Sequence, residues 1–264
     1  MAIYADLVRY RDLFLNLFSR DLRGKYKGSF LGLAWTLVYP LVLIGVYTLV
    51  FSVLLRAVQV DHFPLFVVSG LVTWIFFQAS LQGSTLSLLG QGSLIKQVRF
   101  PRQLLPLSVV ATNLVTLLVM LAVVLPFNLV IVPDTRTTFW LVLPLLLPLV
   151  ALVSGLAIVF ACANVLFRDI EHLLATIFLP WFFLTPIFYT FADLLRIGGH
   201  RWIVQLLHWG NFVTPIVNAI RDPLFFGRMP FVGDVIYSVV AGAVALLLGA
   251  LVFSRIDDQL AAEL

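Results

Sequence analysis

The chain has 264 residues, of which 61% are hydrophobic and only 11% charged, with 17 Lys and Arg against 13 Asp and Glu. A water-soluble domain carries about a quarter charged residues, so this composition excludes that class and points to a polytopic membrane protein with most of its length in lipid. A single cysteine, Cys162, excludes a disulfide framework and a thiol metal site.

The first predicted element is an amphipathic helix over 4–23. Asp6, Arg9, Asp12, Asn16, Arg20 and Arg23 recur every three or four positions, while Leu7, Tyr10, Phe14, Leu17 and Phe18 take the other side. Such a helix is expected in the plane of the membrane interface, with its basic residues near anionic headgroups. Arg23, Lys25 and Lys27 then follow within five positions. Gly24, Gly28 and Gly32 recur at intervals of four, giving either a sharp turn into the first span or a smooth face for close helix packing. Residues 1–27 have no compact apolar core with a small-residue cleavage site after it, so a cleavable signal peptide is not expected.

Apolar runs of about 20 residues place six spans near 33–55, 63–85, 104–131, 139–163, 173–192 and 235–254. Trp35, Tyr39, Trp74, Trp140, Trp181 and Tyr189 lie at or near their ends, as interfacial anchors do. The run 202–220 contains Gln205, His208, Gly210, Asn211, Thr214, Pro215 and Asn218, and reads as a re-entrant or interfacial hairpin sheltered by protein. With the N-terminus inside, the inner segments hold Arg9, Arg11, Arg20, Arg23, Lys25, Lys27, Lys96, Arg99, Arg102, Arg168 and Arg255, eleven of the 17 basic residues. The outer segments keep Arg56, Arg136, Arg196, Arg201, Arg221 and Arg228, so the positive-inside bias favours both termini in the cytoplasm.

What the spans lack is informative. A charge at mid-bilayer costs about 2.5–3.5 kcal/mol on insertion scales and usually marks function, yet none of the charged residues falls near the middle of any of these six runs. Ion-coupled carriers need a buried carboxylate, histidine or unwound ion site. Intramembrane enzymes need a nucleophile with its base, or clustered metal ligands. His62, His172, His200 and His208 are scattered without metal-ligand spacing, and Ser69, Ser80 and Ser154 read as helix-packing residues. A Gly-rich phosphate loop is also missing. No catalytic residue, metal or cofactor is therefore expected on this chain, and transport would need another subunit to power it.

Three inner segments are suited to docking that subunit: the helix 4–23, the stretch GQGSLIKQVRFPRQLLPLS at 90–108, and the tight charged turn FRDIEHLL at 167–174. Together with SRDLRGKYKGSFLGLAWTLVYPL at the first span, TPIFY in the fifth and NFVTPIVNAIRDPLFFG before the sixth, they resemble, in order and over nearly the whole chain, the membrane subunit of ABC-2-type exporters. The likeness is to the branch that moves O-antigen, teichoic acid and capsule-like polysaccharides. It implies an all-α integral membrane protein with one transmembrane domain over 1–264, an interfacial gating helix and turn over 4–27, and short external re-entrant helices over 198–227. It also implies a homodimer paired with two copies of a separate ATPase, which would bind the ATP and magnesium, in the bacterial cytoplasmic membrane.

On that resemblance, 90–102 and 167–172 contact the ATPase, which makes Lys96, Arg99, Arg102, Arg168, Asp169 and Glu171 the candidate docking residues. Arg23, Lys25 and Lys27 stand where an anionic lipid-pyrophosphate carrier reaches the inner mouth, although topology-setting explains them equally well. The aromatic residues Tyr39, Tyr47, Trp74, Phe76, Phe77, Trp181 and Phe188 are candidates to line a sugar channel, because ring faces stack on the C–H faces of pyranoses and let them slide. The alternatives are an ABC-2 permease for drugs or lipids, a channel or secondary carrier, and, from a different class, a membrane-embedded lipid-sugar transferase. For the transferase, Asp169, Glu171 and His172 would be the nearest acidic and imidazole groups.

Overall fold

Proline sets where several helices begin and where one stops. The computed structural model describes residues 9–26, 35–54, 60–92, 100–196, 198 and 200–263, with the backbone alone for 26, 36, 52–54 and 257–263. Among them the regular structure is entirely helical: α1 (Arg11–Tyr26), α2 (Trp35–Tyr47, continued by π-helical turns over Thr48–Leu54), α3 (Phe63–Ser87), α4 (Leu104–Ile131) and α5 (Val142–Leu166). There follow α6 (Ile170–Leu184), the short α7 (Phe191–Arg196) and α8 (Arg201–Gln205), α9 (Thr214–Arg221) and the long α10 (Val232–Glu263). Pro64 and Pro215 sit in the first turns of α3 and α9, where a missing N–H costs nothing.

Among the described residues, four segments are long and apolar enough to cross a membrane: Phe63–Ser87, Leu104–Ile131, Phe139–Leu166 and Val232–Ile256. Leu37–Phe51 and Ile170–Leu184 are shorter apolar helices. The fifth expected span, 173–192, overlaps α6 but does not share its ends. Its helix starts at Ile170 and stops at Leu184, because Thr185 is extended (φ −91°, ψ 131°) and the residue before a proline, here Pro186, is steered out of the helical region. The last helix starts at Val232 and runs on to Glu263, beyond the expected 235–254.

The main core is built around α3, whose Phe66, Leu71, Trp74, Phe76, Phe77 and Leu81 are buried against α4, α5, α6 and α9. Helices α5 and α10 pack in parallel at backbone distance. A Cβ on Gly155 would overlap the Ala245 backbone, one on Gly242 would meet the Pro148 carbonyl at 2.9 Å, and one on Gly249 the Gly155 carbonyl at 2.8 Å. Small residues are what allow membrane helices to approach so closely, since lipid supplies no hydrophobic drive between them. The polar segment 211–226 folds back into the bundle, and α9 buries Ile216, Val217, Ala219 and Ile220 against α3, α5 and α10. Its exit is fixed by Gly227, whose left-handed φ of 62° suits glycine and whose missing Cβ leaves room for the Asp134 backbone.

A second, smaller core lies at the other end of the bundle. There Leu17 of α1 meets Leu88, Leu104, Leu105, Ile158, Cys162, Val165 and Phe253, with Tyr10 and Phe14 beside it. The amphipathic pattern thus docks on protein. Helix α1 runs alongside the first half of α4, from Leu17 near Leu104 to Lys25 at Thr116, rather than lying across the helix ends.

Candidate functional site

Helix α1 carries its charges onto a polar strip of α4. Arg20 pairs with Asp21 at 2.9 Å and donates to Gln91 Oε1 at 2.7 Å, and Ser108 donates its hydroxyl to Asp21 at 2.7 Å. One turn on, Lys25 Nζ donates to Asn113 Oδ1 and Thr116 Oγ1, both at 2.9 Å. These two polar residues, 7% exposed each, continue the strip of Ser108 and Thr112 along a mainly apolar helix, where a polar side chain needs a partner. Arg20, Asp21, Lys25, Gln82, Thr112 and Asn113 border an open trough of about 680 Å³. Arg23 is exposed beside it, whereas Lys27 lies outside the described residues. Gly24 is inside α1 with nothing within 4 Å of a Cβ built on it, so it marks no close approach here; Gly28 and Gly32 lie outside the described residues.

The aromatic candidates divide. Tyr39, Tyr47 and Trp74 border one small cavity of about 140 Å³ between α2, α3 and α6, where Trp74 donates Nε1–H to Gln78 at 2.9 Å. Phe76 and Phe77 are 1% and 0% exposed. Both lie in the main core, and Phe77 packs on Phe178, Trp181 and Phe212. Phe188 is buried as well, stacked on Phe51 at 4.6 Å and on Tyr47 at 5.8 Å. Trp181 is half-buried and donates to Asn211, which in turn donates to Thr185, so the residues tie the break after α6 to the start of the segment 211–226.

Among the docking candidates, Arg168 and Asp169 are exposed at the α5–α6 turn, on the same end of the bundle as α1. The turn is anchored by Asn164, whose amide donates to the Thr85 carbonyl and whose oxygen accepts from the Glu171 N–H. Arg102 is half-buried just ahead of α4, and Lys96 and Arg99 lie outside the described residues.

The opposite end holds buried charge that the sequence reading assigned to outer loops. Arg221 ends α9 and is 3% exposed. Its guanidinium donates to the Pro186 carbonyl at 2.5 Å and the Ile187 carbonyl at 2.9 Å and lies 4.3 Å from the Phe66 ring centroid. Gly70 makes room for it, since a Cβ there would overlap Nη2. Beside it Asp222 pairs with Arg228 at 2.8 Å, and His208, stacked on Trp209, meets Asp234 at 2.5 Å.

Comparison with known proteins decides the family. The model for "ABC-2 type transporter" matches residues 12–225. This chain belongs to the ABC-2 type transporter family. It is 36% identical over 247 residues to the O-antigen export system permease protein RfbA of Myxococcus xanthus, covering 93% of this chain and 92% of that protein. Two O-antigen export system permease proteins RfbA of Klebsiella pneumoniae are 25% and 27% identical over 252 residues, each pairing covering 95% of this chain and 94% of the relative. The family and these relatives are transporter permeases rather than enzymes, and the apolar helices make this ABC-2 chain a multi-pass membrane protein.

The matched segment takes in both the Lys25 seat and Arg221. Sequence reasoning missed the partners of Lys25 because Asn113 and Thr116 are 88 and 91 residues away. The signal for Arg221 was present: an Arg-Asp pair directly after the run 202–220 and followed at once by the apolar residues 223–226.

Proposed function

We propose that this ABC-2 permease exports a lipid-linked polysaccharide, an O-antigen or similar envelope glycan, across the bacterial cytoplasmic membrane. It does so as a homodimer driven by two copies of a separate ATPase that binds the ATP and magnesium. The full-length similarity to O-antigen export permeases supports the substrate class. The observation that carries the reading is the Lys25 seat: an ammonium held against an apolar span by an amide and a hydroxyl, over a polar trough. That arrangement suits a phosphate-bearing headgroup whose lipid tail remains in the bilayer, each nearby charge contributing about 1 kcal/mol.

In this reading six helices cross the membrane with both termini in the cytoplasm, α2 and α6 completing their crossings through Thr48–Leu54 and the segment after Thr185. Alternating helix directions support it: Tyr39 and Tyr47 of α2 share a cavity with Gln78 and Leu71 of α3, and α5 runs with α10. Arg23, Lys25 and Lys27 receive the headgroup. Tyr39, Tyr47, Trp74 and Trp181 are the aromatic candidates along the glycan path. Arg102, Arg168, Asp169 and Glu171, with Lys96 and Arg99, face the ATPase.

The test is co-expression with a partner ABC ATPase, in a host strain lacking its own exporter, with surface glycan measured by blot. Restored surface glycan is expected only with both subunits. Export by the permease alone under a proton gradient, or restored drug or phospholipid efflux without glycan, would overturn the reading.

A further inference from the structure

At the end of the bundle opposite α1, a cavity of about 450 Å³ opens between the break after α6, helix α9 and the start of α10. That volume falls within the usual range for small-molecule sites, about 300–1,000 Å³. Its floor is Arg221, whose Nε is buried and has no hydrogen-bond partner, although both terminal nitrogens are engaged by backbone carbonyls. Its walls are aromatic, with Tyr189, Phe191 and Phe231 among the rings. Around them stand two formally cancelling pairs of charges, Arg221 and Arg228 against Asp222 and Asp234.

Cancelling charge gives a simple anion or cation little net attraction, whereas it offers closely spaced donors and acceptors to neutral hydroxyls. Flat rings between those polar groups suit the apolar C–H face of a pyranose. A sugar is the ligand that satisfies both demands at once. We infer that this cavity binds a saccharide unit, one or two pyranose rings, on the side of the membrane opposite α1. The inference rests on the polysaccharide-export reading and adds to it a second contact, for the glycan segment that has already crossed.

The probe is the host's surface glycan, released from its lipid by mild acid, cut to short oligosaccharides and titrated onto the purified permease. Trp209 stacks on His208 at the cavity's edge, at 4.3 Å between rings, and reports occupancy through its fluorescence, with Trp209→Phe identifying its signal. Saturable quenching is expected for the wild type, with affinity at least tenfold weaker in Arg221→Lys and in Phe231→Ala. Phe231 is 59% exposed, so its loss spares the fold and decides the matter if Arg221→Lys does not fold. Affinity within twofold of wild type in Phe231→Ala would overturn the inference, as would displacement of the sugar by glycerol phosphate with Phe231→Ala unaffected. A wild type that exports glycan in cells yet binds no oligosaccharide overturns this site alone. One that does neither overturns the export reading with it.

Discussion

Arg221 keeps its place through backbone carbonyls on one side and a missing side chain on the other. Gly70→Ala sets a methyl against Nη2, with the Ile187 backbone 3.4 Å from the same point, so the guanidinium has to leave its two carbonyls. Overpacking of this kind costs about 1–3 kcal/mol, and a lower melting temperature in detergent is expected. Gly45→Ala is the control: its Cβ meets nothing within 4 Å, and alanine is favoured over glycine in a helix by up to about 1 kcal/mol. Equal melting temperatures for both variants would mean that Arg221 has room to move. Lys25 carries the second prediction at this scale. Lys25→Gln removes a cation but leaves a group able to donate to Asn113 or Thr116, so folding is retained. Loss of about 1 kcal/mol of headgroup attraction weakens substrate affinity about fivefold, read as a shift in the lipid-glycan concentration that stimulates the partner ATPase. No shift would return Lys25 to a purely structural role.

Between elements, two joints decide the mechanics. Asn164 is fully buried and links the α5–α6 turn to the last turn of α3 through one donated and one accepted hydrogen bond. Asn164→Leu strands the Thr85 carbonyl and the Glu171 N–H, at about 1–3 kcal/mol for each buried group left unpaired. The expected phenotype is uncoupling: the ATPase still co-purifies and hydrolyses ATP, but export falls more steeply than hydrolysis. Parallel loss of both would place Asn164 in stability alone. The α5–α10 joint is stiffer. Gly155→Val forces the two backbones apart where even a Cβ would overlap Ala245, and loss of folded protein on size exclusion is expected. A monodisperse, active variant would contradict the parallel close packing.

For the molecule as a whole, charge is partitioned by end. The α1 end gathers Arg20, Arg23, Lys25, Arg102 and Arg168 around the second core and the exposed α5–α6 turn, and at the opposite end the buried carboxylates Asp222 and Asp234 are met by Arg228 and His208. In the proposed export reading, the α1 end is the one that meets headgroups and the ATPase. Asp169 is exposed, and its carboxylate accepts no hydrogen bond from the described residues, so Asp169→Lys reverses a surface charge without disturbing the fold. Co-purification of the ATPase is expected to drop while membrane insertion and thermal stability stay at wild-type levels. Undiminished co-purification would remove 167–172 from the docking surface.

Composition by itself determined that this is a membrane protein, and its hydropathy marks the apolar runs that form the four long helices. The two faces of α1 were legible because its polar and apolar residues alternate at helical spacing, and Tyr10, Phe14 and Leu17 do face protein. The aromatic residues were not legible in this way. In a helix that is apolar all round, lipid-facing and protein-facing positions share the same chemistry, so nothing local distinguishes buried Phe76 and Phe77 from exposed Tyr39. The Lys25 seat, the Arg221 cradle and the cavity above it join residues from distant parts of the chain. Only the tertiary structure decided them, because a buried polar group chooses its partner by where the helices bring backbone and side chains together, and no sequence spacing records that.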